Sequence, residues 1–224
     1  MSDEIEKIKN HLKVDLGKEL PIEIICEISG ITFDISTKDI MGSVIQEWFG
    51  NYLKEKNIVW TTPDNTQQYP DFILSDNHYL EVKTFNSEAS PGFDIANAKS
   101  FFDSVYSNPA RLLSDYIIFE YSFEPQKRIA NWHLMKIWEI TSLSKSGTAG
   151  GLLGCQVKRG TLYNIRPFDF RKSGSKIGSL ENFIYESGRL IDRFSSQLID
   201  ANCAYSDSEE WTANVRSSLV LKET

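Results

Sequence analysis

Apolar residues recur along this chain with two different periods, and the changes of period mark its elements. Ile5, Ile8 and Leu12 stand at helical spacing, which predicts a short amphipathic helix followed by a turn through Leu16-Gly17-Lys18. Residues 22–26 and 31–35 carry no decisive pattern. Ile40, Val44, Ile45, Trp48, Phe49, Tyr52 and Leu53 predict a longer helix over 39–54, with Thr37 or Asp39 as cap and Asn57 at its end. A strand at 58–61, a polar turn at 62–68 and a strand pair at 71–75 and 79–85 follow. Ala98, Phe101, Phe102 and Val105 predict a helix over 95–106, stopped by Pro109. Beyond it, the runs 115–123 and 132–141 read as strands, and 154–158 with 161–166 as a hairpin around Gly160. Trp132, Trp138 and Tyr163 alternate along these strands, a pattern of packing residues. Gly- and Ser-rich stretches at 144–151 and 171–179 read as surface loops. A last helix covers 180–200, with Leu180, Ile184, Ile191, Phe194 and Leu198 inward. The order helix, strands, helix, strands, helix indicates an α/β layered domain with a mixed sheet.

Composition narrows the class. With 224 residues, 41% of them apolar, the chain can bury a sizeable core and reads as one domain over 1–224. The charged start, Met-Ser-Asp-Glu-Ile-Glu-Lys, does not resemble a signal peptide. Apolar runs fall far short of the roughly 20 residues that span a bilayer, so a cytoplasmic protein without a membrane partner is expected. Cys26, Cys155 and Cys203 are odd in number and widely spaced, which indicates thiols rather than disulfides or a zinc site. The net charge of −7 conceals an asymmetry: residues 126–193 hold 12 Lys and Arg against 5 Asp and Glu, and the rest of the chain 12 against 26. One basic segment sits on an acidic body.

The candidate chemistry lies in Pro70-Asp71, then nine residues, then Glu81-Val82-Lys83. Side chains alternate along a strand, so Glu81 and Lys83 share one face while Leu80 and Val82 point to the core. Whether Asp71 joins them depends on register. A two- or four-residue loop pairs Asp71 with Val82, whereas a three-residue loop of Asp76-Asn77-His78 pairs Asp71 with Lys83 and gathers all three polar groups. Asn77 tolerates the left-handed backbone that such a loop needs. Two adjacent carboxylates repel unless a cation sits between them, and Mg²⁺ suits oxygen ligands while keeping its waters. A lysine beside it can orient a water or neutralise charge on a phosphoryl oxygen. On the 39–54 helix, Glu47 falls on the stripe of Ile40 and Val44, toward the packed side; a pairing with Lys54 is the plain alternative.

These residues resemble a known group. Pro70-Asp71, Glu81-Val82-Lys83 and the preceding helix with Gln46-Glu47 look like the PD-(D/E)XK nuclease superfamily, in particular type II restriction endonucleases, over about residues 39–123. The resemblance implies a restriction-endonuclease-like α/β fold, a mixed β-sheet core flanked by helices. It implies Mg²⁺ held by Asp71 and Glu81, Lys83 as the catalytic lysine and Glu47 as an auxiliary acid. The implied activity is hydrolysis of double-stranded DNA at a short sequence, with a companion DNA methyltransferase protecting the host. A repair or recombination nuclease of the same fold and a catalytically inert DNA-binding module remain as alternatives. Twofold targets favour a homodimer, although no heptad or dimer helix is visible. Within the domain, 1–38 then reads as an N-terminal extension, 39–123 as the catalytic core, 124–200 as DNA-recognition strands, basic loops and helix, and 201–224 as a tail. Gln156, Lys158, Arg159, Asn164 and Arg166 around Gly160 have the side chains of base-edge readers, and Lys172 and Lys176, with Lys127, Arg128 and Arg171, suit phosphate contacts.

Overall fold

The computed structural model describes residues 2–16, 19–34, 37, 39–64, 69–145, 147–174 and 176–220. Gly17 and Lys18 of the turn expected at 16–18, and parts of 31–35, 62–68, 144–151, 171–179 and 201–224, lie outside them. In chain order the first elements are helix α1 (Asp3–Asp15), strands β1 (Leu20–Pro21), β2 (Ile25–Ile28) and β3 (Ile31–Asp34), helix α2 (Met41–Glu55), and strands β4 (Trp60–Thr61), β5 (Phe72–Leu74) and β6 (Tyr79–Asn86). Strand β7 (Ala96–Asn97), helix α3 (Ala98–Ser107), a 3-10 turn (Pro109–Leu113) and strands β8 (Asp115–Ser122) and β9 (Arg128–Met135) come next. Helix α4 (Ile137–Ile140), strands β10 (Cys155–Lys158) and β11 (Thr161–Ile165), and helices α5 (Leu180–Arg193), α6 (Ser195–Leu198) and α7 (Ser208–Val220) complete the chain. They divide into two compact units, Met1–Ser90 with Asp115–Met135, and Pro91–Ser114 with Lys136–Thr224.

The first unit is built on a six-stranded sheet in the order β1-β9-β8-β6-β5-β4, in which β6 and β8 run parallel and the other neighbours antiparallel. One face, carrying Leu80, Val82, Ile117 and Phe119, belongs to the apolar core with α1 and α2. Helix α2 forms because Met41, Ile45, Phe49 and Leu53 repeat every four residues and make one buried stripe. Phe49 meets Phe119 and Phe72 edge-on, with ring centroids 5.3 and 5.9 Å away. Each such buried side chain contributes about 1.5–3 kcal/mol. The helix starts at Met41 without a side-chain cap, because the Thr37 hydroxyl expected there accepts the Asp39 amide instead.

The second unit has a three-stranded sheet, β10-β11-β7, and the helices α3, α5 and α7. Here three expectations change. The strand expected at 132–141 is two elements: β9 ends at Met135, and the Glu139 carboxylate accepts the Lys136 amide at 2.8 Å to open α4, so Trp138 is helical. The helix expected over 180–200 breaks at Phe194, and its buried face is made by Phe183, Ile184, Leu190 and Ile191, with Leu180 only half-buried. The region expected to be a tail contains α7, where Trp211, Val215 and Leu219 are buried and the Trp211 indole donates to the Phe102 carbonyl at 3.0 Å. Asp207 caps this helix by accepting the Glu210 amide at 2.8 Å.

Candidate active site

Strands β5 and β6 form a hairpin with Phe72 opposite Leu80 and Ile73 opposite Tyr79, which sets Asp71 against Glu81. The turn has the three residues Ser75, Asp76 and Asn77, closed by the Leu74 amide on the His78 carbonyl at 2.9 Å. This is one residue earlier than the three-residue loop considered from sequence. The parity is the same, so Asp71, Glu81 and Lys83 still share one face of the sheet while Leu80 and Val82 are buried on the other. Asn77 adopts the left-handed conformation, with φ of 61°.

Asp71 stands just before β5, and its carboxylate replaces a ladder acceptor. Its Oδ2 accepts the Val82 amide at 2.7 Å, its Oδ1 accepts the Gln46 side-chain amide at 2.9 Å, and its own amide donates to Glu81 Oε2 at 3.3 Å. Lys83 donates to Glu81 Oε1 at 2.8 Å. Glu81 is 8% exposed, so this ion pair is shielded from water. Burial, followed by the charge of Glu81, pushes the Asp71 carboxyl up to about 6, against the Val82 amide, Lys83 and Gln46, which favour its ionised form. The pair therefore has one cation for two carboxylates, and that cation is bonded to Glu81.

This donor set fits a hard divalent cation. Two carboxylates with an excess of negative charge suit an ion that keeps several of its own waters. Asp71 and Glu81, which stand against each other, are the residues that could hold it; among the described residues no group of three or more His, Cys, Asp or Glu side chains is placed to hold a metal.

Glu47 does not lie on the packed side. It is exposed, and the residue that reaches Asp71 is its neighbour Gln46. The buried stripe runs through Met41, Ile45 and Phe49, whereas Ile40 precedes the helix and Val44 is half-buried. A stripe drawn through those two is rotated by one residue, about 100°. Glu47 nevertheless lines the cleft beside Asp71, and among the described residues no ion pair joins it to Lys54.

Of the residues expected to contact DNA, Lys127 and Arg128 lie in the first unit, paired with Asp34 and, at 3.0 Å, with Glu19, and the others lie in the second. Arg159 and Gly160, both with positive φ (51° and 82°), form the two-residue turn of the β10–β11 hairpin. Gln197 braces this tip, its carbonyl accepting the Leu162 amide and its amide donating to the Gly160 carbonyl, both at 2.9 Å. Lys158 lies over the Tyr163 ring at 5.7 Å, and Tyr163 is exposed rather than packed in the core. Gln156 sits at a register shift in β10, and Asn164 pairs with Asn97 of β7. Arg166 is not at the tip: it pairs with Asp94 at 2.9 Å. Asp169 takes both Arg171, at 2.9 and 3.1 Å, and Lys172, at 3.0 Å, which hold its carboxyl well below the usual range. Lys176 is exposed. Among the described residues no helix is long and apolar enough to cross a membrane, and the three cysteines are free.

The chain is similar to several known proteins. It is 40% identical over 139 residues to the type II restriction enzyme NlaIV of Neisseria lactamica, covering 59% of this chain and 56% of that protein. It is 36% identical over 115 residues to the type II restriction enzyme NgoBV of Neisseria gonorrhoeae, covering 48% of this chain and 64% of that one. The matched stretches thus span less than two thirds of both relatives. The solved structure of NlaIV restriction endonuclease superimposes with a TM-score of 0.78 at 27% identity, over 97% of this chain and 89% of that one. A family model described as NgoBV restriction endonuclease matches residues 3–218. On this nearly full-length match, together with a mixed α/β fold shared with a solved restriction endonuclease, the chain belongs to the NgoBV restriction endonuclease family.

Proposed function

We propose that this chain is a Mg²⁺-dependent type II restriction endonuclease that hydrolyses phosphodiester bonds of double-stranded DNA at a short specific sequence. The observation that carries the reading is the placement of Asp71 against Glu81, with the Lys83 ammonium on Glu81. Asp71 and Glu81 would hold the metal. Bound there, such an ion would supply Lewis-acid chemistry to the reaction. The chain's own residues do the positioning. Gln46 and the Val82 amide fix the two oxygens of Asp71 before any ligand arrives, so little reorganisation is needed. Lys83 is placed to orient the attacking water and to neutralise charge on a phosphoryl oxygen. Glu47, exposed at the rim of the cleft, acts through water as an auxiliary acid.

The first unit is then the catalytic half and the second the reading half. At the hairpin tip Lys158 and Arg159 project with Gln156 and Asn164 along its strands, a set suited to base edges, and Lys172 and Lys176 suit phosphates. Arg166, bound to Asp94, reads bases only by exchanging that partner. A companion DNA methyltransferase acting on the same site in the cytoplasm protects the host, and a homodimer matches a twofold target. Incubating supercoiled plasmid with the protein and Mg²⁺, then sequencing the fragment ends, tests the reading. The expected result is one shared end sequence; random ends overturn the specificity, and intact plasmid overturns the nuclease.

A further inference from the structure

A cleft of about 130 Å³ opens beside Asp71 in the first unit. Gln46, Glu47, Asn51 and Lys54 line it from α2, with Trp60 and Asp71 across from them. It is a small cleft open to solvent, with room for a phosphate-sized group. Its charge is graded. Asp71 and Glu47 make one end acidic, and Gln46, bonded to Asp71 at 2.9 Å, marks that end on the helix. Lys54, eight residues and about 12 Å further along α2, makes the other end cationic.

The cationic end is built rather than incidental. The Lys54 ammonium lies 5.0 Å from the centroid of the Trp60 ring, and among the described residues it forms no ion pair. Trp60 is itself fixed, its indole donating to the Gly50 carbonyl at 3.2 Å and its ring edge-on to Phe72 at 4.7 Å. Gly50 makes this possible: a Cβ there would stand 3.1 Å from Trp60 Cζ2 and 3.3 Å from Phe72 Cε1. An aromatic platform thus holds a lysine that pairs with no anion among the described residues, one turn from Asn51. The Asn51 amide nitrogen donates to the Glu47 carbonyl at 3.0 Å and carries a second N–H.

We propose that this cleft is a subsite for a backbone phosphate of the DNA strand being cut, with Lys54 as its counter-charge and Asn51 as a hydrogen-bond donor. The inference rests on the nuclease reading above. Lys54 is a substrate-binding residue, not a catalytic one. At an axial rise of about 3.4 Å per nucleotide, its distance from Gln46 places the bound phosphate within about four nucleotides of the cleaved bond.

The test uses the full chain and a short duplex carrying the cleavage site mapped on plasmid. Binding is followed by fluorescence anisotropy without metal as salt is raised, and cleavage is followed with Mg²⁺. Lys54→Ala is expected to weaken binding about tenfold, the scale of one charge-assisted contact, and to lower the log–log salt slope by about 0.9, the value for one phosphate. Lys54→Arg should restore both. Duplexes with a single neutral methylphosphonate locate the contact: at one position near the cut, wild type should lose the same factor and Lys54→Ala lose nothing more. Wild-type affinity and slope in Lys54→Ala, or equal further losses at every position, overturn the subsite while leaving the nuclease standing. Failure of the wild type to bind or cut DNA overturns the nuclease reading and the subsite with it.

Discussion

Neutralising one of the two paired carboxylates, Asp71, should make the metal-free protein more stable. Asp71→Asn keeps an oxygen for the Val82 amide, and Gln46 can turn its own amide to match the new side chain. What it removes is a charge that burial and Glu81 disfavour. The Asp71 carboxyl is pushed from 3.8 up to about 6. At about 1.4 kcal/mol per pH unit, that shift sets a ceiling of about 3 kcal/mol on the gain at pH 8. Desolvation of the replacement amide reduces it to about 1–2 kcal/mol, or roughly 2–8 °C in melting temperature for a chain of this size. The sign follows from proton binding: between its unfolded and folded values Asp71 holds its proton more tightly when folded, so its contribution to stability falls as pH rises from about 4 to 6. The gap between the variant and wild type is therefore full above pH 6 and closes below pH 4. Thermal melts in chelator at pH 8 and at pH 4 measure it. Added Mg²⁺ should raise the melting temperature of wild type but not of the variant. A variant no more stable than wild type at pH 8, or a gap that does not change with pH, would refute the electrostatic reasoning.

Other outcomes follow from the same geometry. Lys83→Ala should lose cleavage of plasmid while keeping Mg²⁺ binding measured calorimetrically, whereas Asp71→Ala or Glu81→Ala should lose both; near-normal cleavage by any of the three removes that residue from the site. Burial pushes the Cys155 thiol up to about 11, so its thiolate is scarce at pH 8 and grows as pH rises toward 11. Mass spectrometry after brief alkylation should find Cys155 almost unmodified at pH 8 and increasingly modified above pH 10; rapid labelling at pH 8 contradicts the burial. Arg159→Ala should cost about 1–3 kcal/mol at one base pair of a mismatch panel, while Lys172→Ala weakens all duplexes alike; identical profiles would take the β10–β11 hairpin out of the reading role.

Much of the frame is legible in the sequence because period alone decides it. The α2 helix, the β5–β6 pair and the run through β8 are local patterns, and each element forms where the pattern predicts, although the buried stripe of α2 is rotated from the one expected. The parity that puts Asp71 beside Glu81 stays open in the sequence, because it turns on a loop length that spacing alone does not choose, and so does the register. It depends on the Asp71 carboxylate taking the Val82 amide, a side-chain bond that strand alternation does not encode. Gln46 was hidden by a stripe drawn through Ile40, although spacing from Phe49 and Leu53 places position 46 beside the buried face. Helix α7 left a signal in Trp211, Val215 and Leu219 at four-residue spacing behind Asp207, masked by the polar residues between them. The pairing of Arg166 with Asp94 left none, since 72 positions separate the partners.

The division of the chain into two units means that one half is synthesised in full before the other. The half that carries Asp71, Glu81 and Lys83 has its last sheet partner once Met135 has emerged, while the other half waits for α7, which ends at Val220. At about 5–20 residues per second, the 85 residues between them take roughly 4–17 s to synthesise. During that interval the carboxylates and the lysine can be in place on a growing chain whose second half is still without Trp211, the side chain that closes its core.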